Sequence, residues 1–420
     1  MKTIQSKNII EIGQHAKEAA MQLSALSGEQ RQKAIAAMPE KLASVKDELF
    51  RVNKKDVAVA EENGLPVPLL KRLEITDNVF DYMQSRLEKV AALPDPVNRV
   101  LEGHTRPNGL RVEKVSVPLG VIGLIYESRP NVTTDAASVC LKSGNAVIMR
   151  GGSESLGTNI VLADAMIEAL VEHGIPEHAL QIIRIPGHET VDELLELDEF
   201  IDVLIPRGGK GLIKRISEGT RIPVIKHYEG VCHLYFADDA PHDMAIDLAL
   251  NSKIQRVEVC NALETLLIDA KCDNSLLTNL VQTFRQQDVE CLGCEKSRRI
   301  ISDLKPATEE DWTTEYLAPI ISIKIVESLD EAVRHINTYG SGHTDGIVTA
   351  NLQQARHFVN AVDSASVLVN ASTRLSGGGD YGLGAVVGIS TDKLHARGPV
   401  GPNDLTSYKW IAYGNGHVRA

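Results

Sequence analysis

The chain of 420 residues is too long for one ordinary hydrophobic core, so two large domains are expected. With 43% hydrophobic, 24% charged and only 4% aromatic residues, it reads as a soluble globular protein whose aliphatic cores suit helices packed on buried parallel strands. A formal net charge of −12 without a basic stripe argues against a nucleic-acid partner and leaves small anionic substrates, around which a few arginines invert the local field.

Residues 1–7 lead into mixed polar and charged residues, unlike the apolar segment of a signal peptide, and no run of about 18 apolar residues offers a membrane span. Residues 8–92 read as helices. Ser27 with Gln30 forms a capping box, and Ile35, Met38, Leu42, Val45 and Leu49 follow at steps of three and four. Pro39, inside that stripe, is expected to kink or restart the helix. Leu93-Pro94-Asp95-Pro96 closes the helical segment. From Val117, apolar runs at 121–126, 146–149, 181–185, 201–205 and 223–225 predict strands, alternating with helices over 134–142, 154–172, 191–197 and 210–217. This is the pattern of βαβ units and a doubly wound parallel sheet. A second α/β series runs from Cys232 to Asn370, with strands near 265–268, 320–325 and 346–349, and residues 408–412 predict a last strand.

Six cysteines (140, 232, 260, 272, 291 and 294) are scattered, unlike a secreted disulfide framework, and place the chain in the cytosol. Cys260 falls on a tight connection between a helix and a strand. There it is either a small buried core residue or a nucleophile, with Arg256 as the cation that favours its thiolate. Cys291-Leu292-Gly293-Cys294 is a lone CxxC with no partner pair at zinc spacing, so a turn at Gly293 is expected and no metal ligand set. His335 and His343 lack a carboxylate at helical spacing, which favours structural or substrate hydrogen bonding over ligation. Arg207-Gly208-Gly209-Lys210 and Arg150-Gly151-Gly152-Ser153 each end a strand and open a helix. Such turns let backbone N–H groups approach a phosphate, and Arg150 suits a ribose 2′-phosphate; the alternative for the second is a left-handed turn with Ser153 as cap.

Several long stretches, taken in order, resemble the gamma-glutamyl phosphate reductases, a family within the aldehyde dehydrogenase superfamily. They are Pro118-Leu119-Gly120 through Arg129-Pro130-Asn131, Lys142-Ser143-Gly144-Asn145 to Glu154, Ile205-Pro206-Arg207-Gly208-Gly209, Pro223 to His227, the Cys260 segment, His335-Ile336-Asn337 to Asp345, and His395-Ala396-Arg397-Gly398-Pro399. The resemblance implies an α/β, aldehyde dehydrogenase-like fold with a Rossmann-like NADPH-binding domain (1–104 and 121–231), a catalytic domain (232–395) and an oligomerisation flap (105–120 and 396–420). It implies reduction of L-glutamyl 5-phosphate by NADPH to L-glutamate 5-semialdehyde and phosphate, the second step of proline biosynthesis. By position Cys260 matches the nucleophile, with its own N–H and Asn131 or Arg129 at the oxyanion. Arg150, Gly151, Ser153, Arg207, Gly208, Gly209 and Glu315 fall to the cofactor, and Arg129, His343 and Arg397 to the substrate. A homo-oligomer and an association with glutamate 5-kinase go with it. Hydrolytic relatives need a glutamate base to activate water; here Lys226 or His227 stands near that place, which favours the reductase over a hydrolytic enzyme or a silent protein on the same fold. Ile254, Val257, Val386 and the run Ser376-Gly377-Gly378-Gly379 depart from the family pattern.

Overall fold

Ser27 opens the second helix by accepting the Gln30 N–H at 3.2 Å. The structure, a computed structural model, describes residues 2–187 and 189–419, so Met1 and Ala420, the outer bounds of the expected domains, lie outside the described residues. Two units divide the chain: Met1–Lys226 with Gly382–Ile389 and Pro399–Ala420, and His227–Tyr381 with Ser390–Gly398.

The first unit begins with helices Lys2–Ala25, Gly28–Ser44, Lys46–Glu62, Val67–Leu73 and Asp77–Ala92. Pro39 does not end the helix, which runs through it to Ser44 before the next begins at Lys46. The apolar stripe explains this, since Ile35, Met38 and Leu42 are all fully buried and hold the helix against its neighbours across the lost hydrogen bond. Four parallel strands follow in the order Leu180–Ile182, Ala146–Arg150, Val121–Tyr126, Val203–Arg207. The stretch 223–225 contributes only a single bridge, Leu204 to Val224, because Pro223 has no N–H to donate to a ladder. A separate antiparallel sheet joins Val100–Thr105, Arg111–Pro118 and Thr406–Tyr413, and its outer strands are largely exposed.

In the second unit seven parallel strands run in the order Lys305–Pro306, Glu290–Gly293, Ile320–Val326, Leu263–Asp269, Cys232–Phe236, Thr344–Val348, Ser366–Val369. Alternate residues feed two cores: Leu234, Phe236, Leu266 and Phe284 on one face, Tyr235, Leu267, Ile347 and Phe358 on the other. Burial on both faces is why the central strands read as unbroken apolar runs. The lone CxxC is part of this framework and not the turn expected. Cys291 is buried within strand Glu290–Gly293, while Cys294 precedes helix Glu295–Ile300 and its Sγ accepts the Ile325 N–H at 3.4 Å. Among the described residues no helix is long and apolar enough to cross a membrane.

Candidate active site

Four adjacent strands of the seven-stranded sheet share one amino-terminal edge, and the segments that enter them there bring the candidate residues together. Glu315 precedes Ile320–Val326, Cys260 precedes Leu263–Asp269, Gly230 precedes Cys232–Phe236, and His343 precedes Thr344–Val348. Cys260 lies half-buried in the turn between helix His242–Ile254 and its strand, as its sequence context predicts. Gly230 sits against the Cys260 backbone so closely that a Cβ on it would lie 1.8 Å from the Cys260 carbonyl oxygen. The Gly230 N–H donates to Glu315 Oε1 at 3.0 Å, and the Cys232 thiol donates to the Cys260 carbonyl at 3.2 Å. Asn261 continues the clamp by donating to the Ser376 carbonyl at 3.0 Å.

Around the thiol stand two imidazoles. Cys260 Sγ and one ring nitrogen each of His227 and His343 lie within 4.8 Å of one another. His343 is fully buried, and burial drives its pKa down to about 4, so it is neutral near pH 7. The cation that acts on Cys260 is not well described by Arg256 alone. Arg256 is largely exposed beside Glu258, whereas the half-buried Arg374 bonds to Asn261, the residue next to Cys260. Sequence reading missed Arg374 because it sits more than a hundred residues from Cys260 in an irregular segment; only the fold pairs them. His335, the other histidine weighed with His343, goes elsewhere. It meets Trp312 and His233 edge-on and Tyr339 at a tilt, with Nδ1 3.0 Å from Lys324 Nζ.

The glycine turns of the first unit lie together at the carboxyl edge of the four-stranded sheet, on either side of strand Val121–Tyr126, where connections diverge and dinucleotides bind in such sheets. The left-handed alternative for Gly151 and Gly152 fails: Gly152 has φ −56°, and Ser153 caps nothing. Gly151 is there for space, since a Cβ would meet Asn159 Nδ2 at 2.3 Å. Arg150 is 7% exposed and spends three N–H groups on Gly151 O, Gly187 O and Thr190 Oγ1. Gly208 and Gly209 open helix Lys210–Gly219, and the Gly209 N–H donates to Glu127 Oε2 at 2.9 Å while its Cβ direction faces open space. Asn131 begins helix Asn131–Lys142, one turn before Asp135, whose pKa burial raises to about 6 against the pull of Arg86 and other neighbours. Arg129 stands two residues before it.

The aldehyde dehydrogenase family model matches residues 1–291 and 300–382. The chain belongs to the aldehyde dehydrogenase family. It is 47% identical to a gamma-glutamyl phosphate reductase of Nautilia profundicola, over 97% of this chain and 99% of that one. The crystal structure of gamma-glutamyl phosphate reductase from Thermotoga maritima superposes with a TM-score of 0.96 at 42% identity, covering 98% of this chain and all of that one (100%). An acetylating aldehyde dehydrogenase from Geobacillus thermoglucosidasius, 19% identical with a TM-score of 0.70 over 100% of this chain and 99% of its own, shares the fold. Aldehyde dehydrogenase membership implies a nicotinamide cofactor, and the paired glycine turns fit one. Arg397, expected at the substrate, donates from Nη2 to Asp363 O at 3.0 Å and to Oδ1 at 2.8 Å.

The Gly230 contact generates a direct test. Gly230→Ala forces Cys260 to shift, and displacement of a reacting group by about 1 Å costs on the order of a hundredfold in rate. The variant is expected to keep its circular dichroism spectrum and lose at least about that factor in kcat/KM; full activity would show that the contact does not position the thiol.

Proposed function

We propose that this aldehyde dehydrogenase family member is a phosphorylating, NADP-dependent oxidoreductase that reduces L-glutamyl 5-phosphate to L-glutamate 5-semialdehyde and phosphate. The observation that carries the reading is Cys260 beside two histidines on a backbone clamp, in a chain similar along its length to gamma-glutamyl phosphate reductases. Six free cysteines, with Cys260 beside the two histidines and Cys232 behind His343, are in keeping with a cytosolic enzyme.

The thiolate of Cys260 attacks the acyl carbonyl; the C–S bond forms, the C–O bond to phosphate breaks, and phosphate leaves a thioester. Arg374 favours the thiolate electrostatically. The Cys260 N–H, with Asn131 or Arg129, is assigned to the oxyanion. When bound, NADPH supplies the hydride that converts the thioester to the aldehyde. Arg150, Gly151, Ser153, Arg207, Gly208 and Gly209 are assigned to holding the dinucleotide, Glu315 to the nicotinamide ribose, and His343 and Arg397 to the substrate. The Glu315 carboxylate accepting the Gly230 N–H beside Cys260 supports its assignment to this site. The exposed outer strand Thr406–Tyr413 supports a flap through which copies associate, and association with glutamate 5-kinase belongs to the same reading.

Lys226 or His227 is assigned to the place where hydrolytic relatives need a glutamate base, and His227 lies beside the Cys260 sulfur; this supports a reading in which no carboxylate base activates water against the thioester. Run backwards, semialdehyde oxidation then depends on phosphate or arsenate. In phosphate-free buffer NADPH formation is expected to stop at about one equivalent per active site, as an accumulated acyl-enzyme requires. Continuous turnover there would mean that a histidine activates water, and the hydrolytic reading would replace this one.

Cofactor choice gives a second measurement. A charge-assisted contact is worth roughly 1.5–3 kcal/mol, so Arg150→Ala is expected to raise the Michaelis constant for NADPH by about one to two decades and that for NADH far less. Equal rises for both would assign Arg150 to clamping the Gly187–Thr190 loop alone.

A further inference from the structure

Cys260, His227 and His343 come from three distant segments, yet one donor atom of each lies within 4.8 Å of the others. We propose that they form a binding site for a borderline-soft divalent cation of the Zn²⁺ class, which on binding shuts off the Cys260 thiol. One sulfur and two imidazole nitrogens are the donor set that such cations take in preference to Mg²⁺ or Ca²⁺. The site stands on this donor set and holds whether or not Cys260 carries an acyl group in the reaction.

His343 supplies the independent observation. The Thr344 hydroxyl donates to Ser376 Oγ at 2.9 Å, so toward His343 Nδ1, 2.8 Å away, its oxygen is the acceptor. Nδ1 therefore carries the ring hydrogen, and Nε2 keeps its lone pair. That nitrogen is fully buried and has no hydrogen-bond partner among the described residues. An imidazole whose far N–H is fixed by an outer oxygen while its other nitrogen is left bare has the arrangement of a metal-ligating histidine.

Metal–nitrogen distances of about 2.0–2.1 Å and a metal–sulfur distance of about 2.3 Å in a tetrahedron bring donor atoms to about 3.3–3.7 Å of one another. With the donor atoms within 4.8 Å of one another, the contraction needed is at most about 1.5 Å. Cys260 sits in a turn and His227 in an irregular segment, both half-buried, so side-chain rotation supplies it while His343 stays fixed. Cys232 is no ligand, because its thiol is committed to the Cys260 carbonyl, and the fourth position falls to water. On binding, the Cys260 S–H proton passes to solvent and a sulfur–metal bond forms, with no change of oxidation state.

The test uses the full chain, reduced, stripped of metals and titrated with Co²⁺ in buffer free of phosphate and thiols. One Co²⁺ per chain is expected to give intense tetrahedral bands with a thiolate-to-cobalt charge-transfer band, both removed by Zn²⁺. Cys260→Ser abolishes the charge-transfer band, and Cys294→Ser leaves it intact. His343→Gln weakens binding by at least about a hundredfold, and Thr344→Val, which removes the outer oxygen, by about tenfold to a hundredfold. His227→Gln weakens binding as His343→Gln does, and it replaces that variant if the change at the buried position prevents folding. A weak octahedral spectrum, a charge-transfer band that survives Cys260→Ser, or histidine variants that bind like the parent protein would each overturn the site.

Discussion

The approach of the Gly230 backbone to the Cys260 backbone is the contact on which the rest of the site depends. No side chain fits between them: a Cβ on residue 230 would fall 1.8 Å from the Cys260 carbonyl oxygen. With that space gone, the Gly230 N–H turns to Glu315 and the Cys232 thiol caps the Cys260 carbonyl, so three segments are fixed by hydrogen bonds whose donors and acceptors are largely withdrawn from water. Parallel register does the remainder. Because the strands that follow Glu315, Cys260, Gly230 and His343 are neighbours in one sheet, their amino ends deliver all four residues to one edge.

Beneath this edge lies a fully buried ion pair, Lys253 Nζ to Glu264 Oε2 at 2.5 Å. Burial lowers the lysine and raises Glu264 to about 7, each resisting the pull of its partner. Such a pair adds little net stability, but it fixes position. Glu264 Oε1 also accepts the Leu317 N–H at 3.3 Å, in the same turn as Glu315, and Leu317 there adopts φ +50°. The pair thereby anchors the turn that presents the Glu315 carboxylate to Gly230.

What could be read from the chain alone follows from this geometry. Apolar runs such as Val121–Tyr126 and Leu263–Asp269 announce strands because both faces of their sheets are covered. The turn at Cys260 is legible because a helical stretch ends just before a strand begins. Pro39 does not stop its helix because its cost is local while the buried face of Ile35, Met38 and Leu42 is spread over several turns. Residues 223–225 mislead in the opposite way: they are apolar enough for a strand but lack the N–H that extends one. Arg374 and the pairing of His227 with His343 leave no trace in spacing, since more than a hundred residues separate the partners and only the sheet order unites them. Arg150 suits a ribose 2′-phosphate in sequence, and packing also gives it a part that sequence does not show, holding Gly187 and Thr190.

The central claim is that Cys260 carries the acyl group. The most direct measurement is acid quench of the enzyme incubated with glutamate semialdehyde and NADP in the absence of phosphate, followed by intact-mass and peptide mass spectrometry. The account predicts one glutamyl group per chain, on the peptide containing Cys260, released when phosphate is added before the quench. An unmodified Cys260 after hydride transfer, or an acyl group on one of the other five cysteines, would contradict it.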